Sequence, residues 1–181
     1  MSVSARHIAD LQSRWAGARM RDPKHDGYLA SLGDNLFQGR LHSQSETEFR
    51  CGDGSELKDV RTRPAKMRAL ASSSALAVNF FDAWRDVNKA TLSQALGLPA
   101  PIAAIQFEFK TRDYPVRPRS PNLDLLLQLE DGQYIGVESK FCEPYRSDDG
   151  HGVLSTRYFD PEPLLWRASR LNGAQELASR L

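Results

Sequence analysis

The stretch that decides the fold is Pro121-Asn122-Leu123-Asp124-Leu125-Leu126-Leu127-Gln128-Leu129-Glu130-Asp131-Gly132-Gln133-Tyr134-Ile135-Gly136-Val137-Glu138-Ser139-Lys140-Phe141. From Leu123 to Leu129 every odd position is leucine, while the even positions are Asp124, Leu126 and Gln128. Beyond a Glu-Asp-Gly turn, Ile135, Val137 and Phe141 are apolar, and Gly136, Glu138 and Lys140 alternate with them. Period two on both sides of a turn predicts an antiparallel hairpin with one buried face.

Register matters here, because a slip of one residue moves every side chain to the other face. A two-residue Asp131-Gly132 loop pairs Glu130 with Gln133 and sets Leu125 opposite Glu138. A three-residue loop of Glu130, Asp131 and Gly132, with Gly132 left-handed in a G1 bulge, pairs Leu129 with Gln133 instead. That register brings Asp124 opposite Glu138 and Asn122 opposite Lys140, and it keeps the leucines on the face of Ile135, Val137 and Phe141. The hydrophobic pattern favours the three-residue loop.

Two carboxylates beside a lysine at a strand end suit a hard divalent cation, which takes oxygen ligands and keeps several waters. The lysine can orient an attacking water, help deprotonate it, or stabilise the charge that develops on a phosphoryl group. The competing reading is a salt-bridge ladder of Asp124, Glu138 and Lys140 on a solvated sheet face.

Asp124, thirteen intervening residues, and then Glu138-Ser139-Lys140 resembles the signature of the PD-(D/E)XK nuclease superfamily. The strings Pro121-Asn122-Leu123-Asp124 and Gly136-Val137-Glu138-Ser139-Lys140-Phe141 resemble those of a group of bacterial restriction-endonuclease-like proteins within it. The helix Ser73-Ser74-Ala75-Leu76-Ala77-Val78-Asn79-Phe80 is similar to one upstream in that group. The resemblance covers roughly residues 70 to 145. It implies a mixed sheet flanked by helices, Mg²⁺ (or Mn²⁺) as cofactor, and phosphodiester hydrolysis. It also implies that Asn79 helps hold the active-site strands, that Glu143 is a supporting acid, and that residues 161–181 form a second core helix. The superfamily's fourth core strand has no counterpart before Leu181, and an unpaired sheet edge would invite a homodimer.

The chain has 181 residues, 40% hydrophobic and 26% charged, a composition for one soluble globular domain with an appendage. A net charge of +1 neither demands nor excludes nucleic acid, since a nuclease needs only a local basic groove. Cys51 and Cys142 are too few for a disulfide framework and make no metal motif. No leader-like N-terminus and no long apolar run is present, so a cytoplasmic protein without membrane contact is the default.

Helical spacing of Ile8, Leu11, Trp15 and Ala18 predicts a helix over residues 5–20. Residues 21–60 are poorly periodic, and Asp53 and Glu56 on their Gly-rich loop read as solvated. Arg61, Arg63, Lys66 and Arg68 either track a phosphate backbone or form a charged loop leading into a helix. That helix starts near Lys66 or Ser72 and runs to Trp84, apolar over most of its circumference and therefore buried. Within it, Asn79 needs hydrogen-bond partners and can cross-link the helix to a loop. A helix over 87–96 stops at Gly97. Strand 103–111 follows, with Glu108 on its polar face as the candidate third metal ligand or a cross-strand partner of a lysine. Arg112, Arg117 and Arg119 then sit on a proline-stiffened loop fit for phosphate contacts, or are ordinary solvated arginines. Tyr114 is a base-stacking candidate. The loop around Asp148, Asp149 and His151 lacks a calcium-loop pattern.

The reading is an α/β protein: an N-terminal helical extension over residues 1–65 and a restriction-endonuclease-like core over 66–181, with its last strand in question. Asp124 and Glu138 hold Mg²⁺, Glu108 assists, and Lys140 serves the attacking water. DNA is the expected substrate, contacted by Arg61, Arg63, Arg112, Arg117 and Arg119, with RNA as the alternative. The second hypothesis is a catalytically inert nuclease-fold module that binds nucleic acid or a protein. A two-carboxylate glycosidase is weaker, because no aromatic sugar platform accompanies the acids and the lysine has no role there.

Overall fold

The computed structural model describes residues 3–19, 27–52, 54–110 and 122–141. Helices α1 (Val3–Ala18), α2 (Ser43–Cys51), α3 (Ser73–Phe81) and α4 (Lys89–Ala95) precede strands β1 (Ile102–Lys110), β2 (Asn122–Leu129) and β3 (Tyr134–Val137). Contacts divide the chain into two units, residues 1–109 with 122–146 and residues 110–121 with 147–181. All the described residues but Lys110 belong to the first. No described helix is long and apolar enough to cross a membrane.

The hairpin adopts the three-residue loop. Leu125 pairs with Val137, Leu127 with Ile135 and Gln128 with Tyr134, and Leu129 N donates to Gln133 O at 2.8 Å. Gly132 closes the turn at φ +83°, a left-handed conformation that glycine enters without a Cβ penalty. The consequence is the one the pattern demands: Leu125, Leu127 and Leu129 are fully buried, while Ile135 and Val137 pack at the margin of the same core. Each fully buried leucine contributes about 1.5–3 kcal/mol over leaving it in water.

Strand order is β1-β2-β3. Glu130 N donates to Pro101 O at 2.9 Å, so the start of β1 lies beside the end of β2 and the two run antiparallel. The described sheet is therefore antiparallel rather than mixed; a parallel neighbour needs a long crossover, and β2 passes to β3 by a tight turn.

Helix α3 covers this face with Ala75, Ala77, Val78 and Phe81 buried against the leucines, Ile105 and Phe107. It is shorter and less buried than its composition predicts. Ser72 caps it by accepting from Ala75 N, Lys66–Arg68 is a separate 3-10 turn, and another 3-10 turn follows at Asp82–Trp84. Leu76 and Phe80 stay 41% and 50% exposed. Asn79 takes the cross-linking role: its Oδ1 accepts from Phe37 N (2.7 Å) and its Nδ2 donates to Asn35 O (2.9 Å). Asn35 in turn donates to Met67 O and Ala69 O, so the two asparagines stitch α3 to the 27–37 and 65–69 segments rather than to the strands.

The stretch 21–60 contains a helix, α2, that periodicity does not reveal, because only Ser45 and Phe49 of it are buried. Phe49 stacks on Phe107 at 5.4 Å between ring centroids, so residues before 65 share one core with the strands. A buried ionic network reinforces the junction. The Arg85 side chain, 5% exposed, pairs with Glu48 and with Asp82 (3.3 Å). It also donates to Ile105 O at 2.7 Å and lies over the Phe107 ring. Glu48 accepts from Phe107 N at 2.9 Å; Asp82 accepts from His42 N at 2.8 Å and from Ser45 Oγ. This satisfaction on every side is what a buried charge requires.

Candidate active site

β3 leaves the ladder after Val137, and a side chain takes over the hydrogen bonding. Asp124, on β2, accepts the Ser139 backbone N–H on its Oδ2 at 2.7 Å. Carrying the register outward sets Asp124 opposite Glu138 and Asn122 opposite Lys140, so the acid of one strand holds the Glu-Ser-Lys segment of the next. Ser139 is fixed a second time, its Oγ donating to Ser73 O in the first turn of α3 at 2.9 Å. Flanked by two such bonds, Glu138 and Lys140 project to solvent and pair with each other, Nζ to Oε1 2.5 Å, each about half exposed.

Electrostatically the cluster is short of positive charge. Burial raises the Asp124 carboxyl above its ordinary value; the Ser139 N–H lowers it, the Glu138 charge raises it, the Lys140 ammonium lowers it and the Glu56 charge raises it further. Two positions before Asp124 on β2, the buried Oδ1 of Asn122 finds no hydrogen-bond donor. The hydrogen bonds and ion pair thus gather Asp124, Glu138 and Lys140 together, and Glu56 is a further charge that acts on Asp124.

Glu56 is a functional candidate that the loop reading passes over. It is 7% exposed rather than solvated, with Oε1 on Lys66 Nζ at 3.0 Å and Oε2 on Ser74 Oγ at 2.9 Å. Its own backbone is held too, Met67 N donating to Glu56 O at 3.0 Å. Nothing in the local periodicity of 52–60 exposes it.

Glu108 lies on β1, partly buried. It has a left-handed backbone, φ +51°, a conformation that costs a non-glycine residue about 1–2 kcal/mol. Its carboxylate lies against Gly52 at the end of α2, where a Cβ on Gly52 would stand 3.0 Å from Oε2. Among the described residues no group of three or more His, Cys, Asp and Glu side chains is disposed to hold a metal ion.

The basic run divides. Lys66 is paired with Glu56, and Arg68 is paired with Asp59 at 3.1 Å. Arg61 lies exposed on the tip of a tight turn closed by Val60 and Arg63, whose backbones exchange hydrogen bonds at 2.9 and 3.2 Å. Arg63 donates to Pro64 O. Cys51 is a free, exposed thiol. Arg112, Tyr114, Arg117, Arg119, Cys142, Glu143, Asp148, Asp149 and His151 lie outside the described residues, as does Asp53.

Among the described residues, four helices and a three-stranded antiparallel sheet, with a carboxylate–ammonium cluster where two strands part, define a mixed α/β protein. The chain belongs to the family described as restriction endonuclease associating with ARP, which matches residues 19–161. No curated protein and no solved structure matches it.

Proposed function

We propose that the chain is a metal-dependent endonuclease of the PD-(D/E)XK type that hydrolyses phosphodiester bonds in DNA. The observation that carries this reading is the bond from Ser139 N–H to the Asp124 carboxylate, which locks the acid of β2 against the Glu138-Ser139-Lys140 backbone. Membership of a restriction-endonuclease family supports it.

The donor set fits a hard divalent cation. Asp124 carries a raised pKa, chiefly from burial and with two acidic neighbours adding to the rise, and Asn122 Oδ1 is a buried acceptor without a donor; both are relieved by positive charge. Asp124 and Glu138 would hold Mg²⁺ or Mn²⁺, with water completing the coordination as Mg²⁺ prefers. Glu108, on the neighbouring strand β1, would assist them. Bound there, the ion supplies Lewis-acid polarisation of the phosphoryl oxygens and stabilises the leaving oxygen.

The remaining work falls to the chain itself. Ser139, held from two sides, fixes the spacing between the carboxylates. Lys140, half-exposed and tethered to Glu138, sets a positive charge beside the line of attack. That charge orients a water by hydrogen bonding, lowers the cost of its losing a proton, and offsets negative charge on the phosphoryl group as the bond forms. Arg61 and Arg63, with Arg112, Arg117 and Arg119, contact the phosphate backbone. Cleavage of supercoiled plasmid that needs Mg²⁺ or Mn²⁺ and stops on chelation is the expected result; metal-independent cleavage, or none, contradicts it.

A second reading rests on the family's own description, which couples the endonuclease to ARP. On that reading the chain is a module that binds nucleic acid or a protein without turnover. DNA binding retained without cleavage, and without any metal-linked stabilisation, favours it.

A further inference from the structure

Two adjacent residues in the first turn of α3 reach two different segments. Ser73 O accepts from Ser139 Oγ, and Ser74 Oγ donates to Glu56 Oε2, each at 2.9 Å. A connected path therefore runs from Asp124 through Ser139 and the helix turn to Glu56, and it ends on Lys66, whose Nζ lies 3.0 Å from Glu56 Oε1. Glu56 keeps only 9% of its side chain in contact with water, whereas Lys66 keeps 48%. A carboxylate so removed from solvent requires a counter-charge, and the ammonium that supplies it is on a flexible stem able to swing into solvent.

Resting on the metal-dependent reading above, we infer that Lys66 is a second resident cation of this site beside Lys140, competing with a divalent ion for the charge of Glu56. Glu56 is a positioning residue, kept beside Asp124 and the Glu-Ser-Lys segment by Ser74. When a divalent ion binds at Asp124 and Glu138, the negative charge of Glu56 favours it, and Lys66 opposes it by neutralising that charge. The two residues therefore act on metal affinity with opposite signs. A purely structural ion pair behaves differently, because losing either partner weakens the same fold.

The test is thermal unfolding of the full chain across a Mn²⁺ titration, which reads the half-saturating metal concentration without reference to cleavage. Glu56→Gln, isosteric and able to keep the Ser74 bond, raises that concentration roughly tenfold, as does Ser74→Ala to a smaller degree. Lys66→Met lowers it by about threefold, and Lys66→Arg, which keeps the charge, stays with the wild type. Should Lys66→Met not fold, Lys66→Gln carries the same expectation. Glu56 and Lys66 variants that shift the midpoint in the same direction, or leave it within about twofold of wild type, overturn the inference while leaving the metal reading intact. A wild type with no Mn²⁺-linked stabilisation overturns both.

Discussion

Asp124 stands where burial disfavours the charge of its carboxyl. Its carboxyl is raised above the ordinary value of 3.8, by burial first and by the Glu138 and Glu56 charges after it. A carboxyl whose folded pKa exceeds its unfolded one destabilises the fold when ionised, so the penalty is fully present at neutral pH. It shrinks as pH falls through the folded pKa, and it is gone below the unfolded one. Asp124→Asn should therefore stabilise the protein at pH 7 by up to about 1 kcal/mol, a figure kept small because solvent reaches and screens the half-exposed group. The Asn Oδ1 still accepts the Ser139 N–H. Urea denaturation of both proteins at pH 7 and pH 4 checks this: the variant's advantage should narrow on acidification, and the variant should lose cleavage. Equal or lower stability at pH 7 would mean that the charge is already compensated. A gain in stability on removing a charge is the expected mark of a site built for function rather than for folding.

At the scale of the elements, the hairpin and the buried ionic network make separate demands. Gly132 stands at φ +83°, so Gly132→Ala should cost about 1–2 kcal/mol in denaturant unfolding, while Gly132→Asn, which tolerates the left-handed region, should cost less. Because the turn fixes the register, the alanine variant should also loosen the Asp124–Ser139 bond, read as faster amide exchange at Ser139. The network joins α2, the Asp82–Trp84 turn and β1 through Arg85. Arg85→Met strands Glu48 and Asp82 in the interior and should destabilise by about 3–5 kcal/mol, measured by urea midpoint. A loss below about 1 kcal/mol would show that water reaches these carboxylates.

For the whole molecule, what could be read from sequence was what depends on neighbours along the chain. The hairpin register follows from leucines at every second position and a Gly at the third turn residue, and with it the meeting of Asp124, Glu138 and Lys140. Glu108 has a left-handed backbone within β1, a departure from the extended conformation that alternation assumes and that no neighbour along the chain announces. Glu56 and the Arg85 network were illegible for a different reason. Glu56 meets Ser74 across eighteen positions, and Arg85 meets Glu48 across thirty-seven, so only the packed core decides that these groups are buried and paired. Helix α2 escaped because burying two residues leaves too faint a period to see. The proposed metal-dependent nuclease centre is the cluster joining β2 to the Glu-Ser-Lys segment. Its most direct measurement is nicking of supercoiled plasmid in Mn²⁺ by the wild type beside Lys140→Ala, both first shown to be folded. Nicking by the wild type and at least a hundred-fold less by the variant, about the contribution expected of a residue serving proton transfer, is the predicted result. Equal nicking by the two, or none by either while both bind DNA, would contradict it.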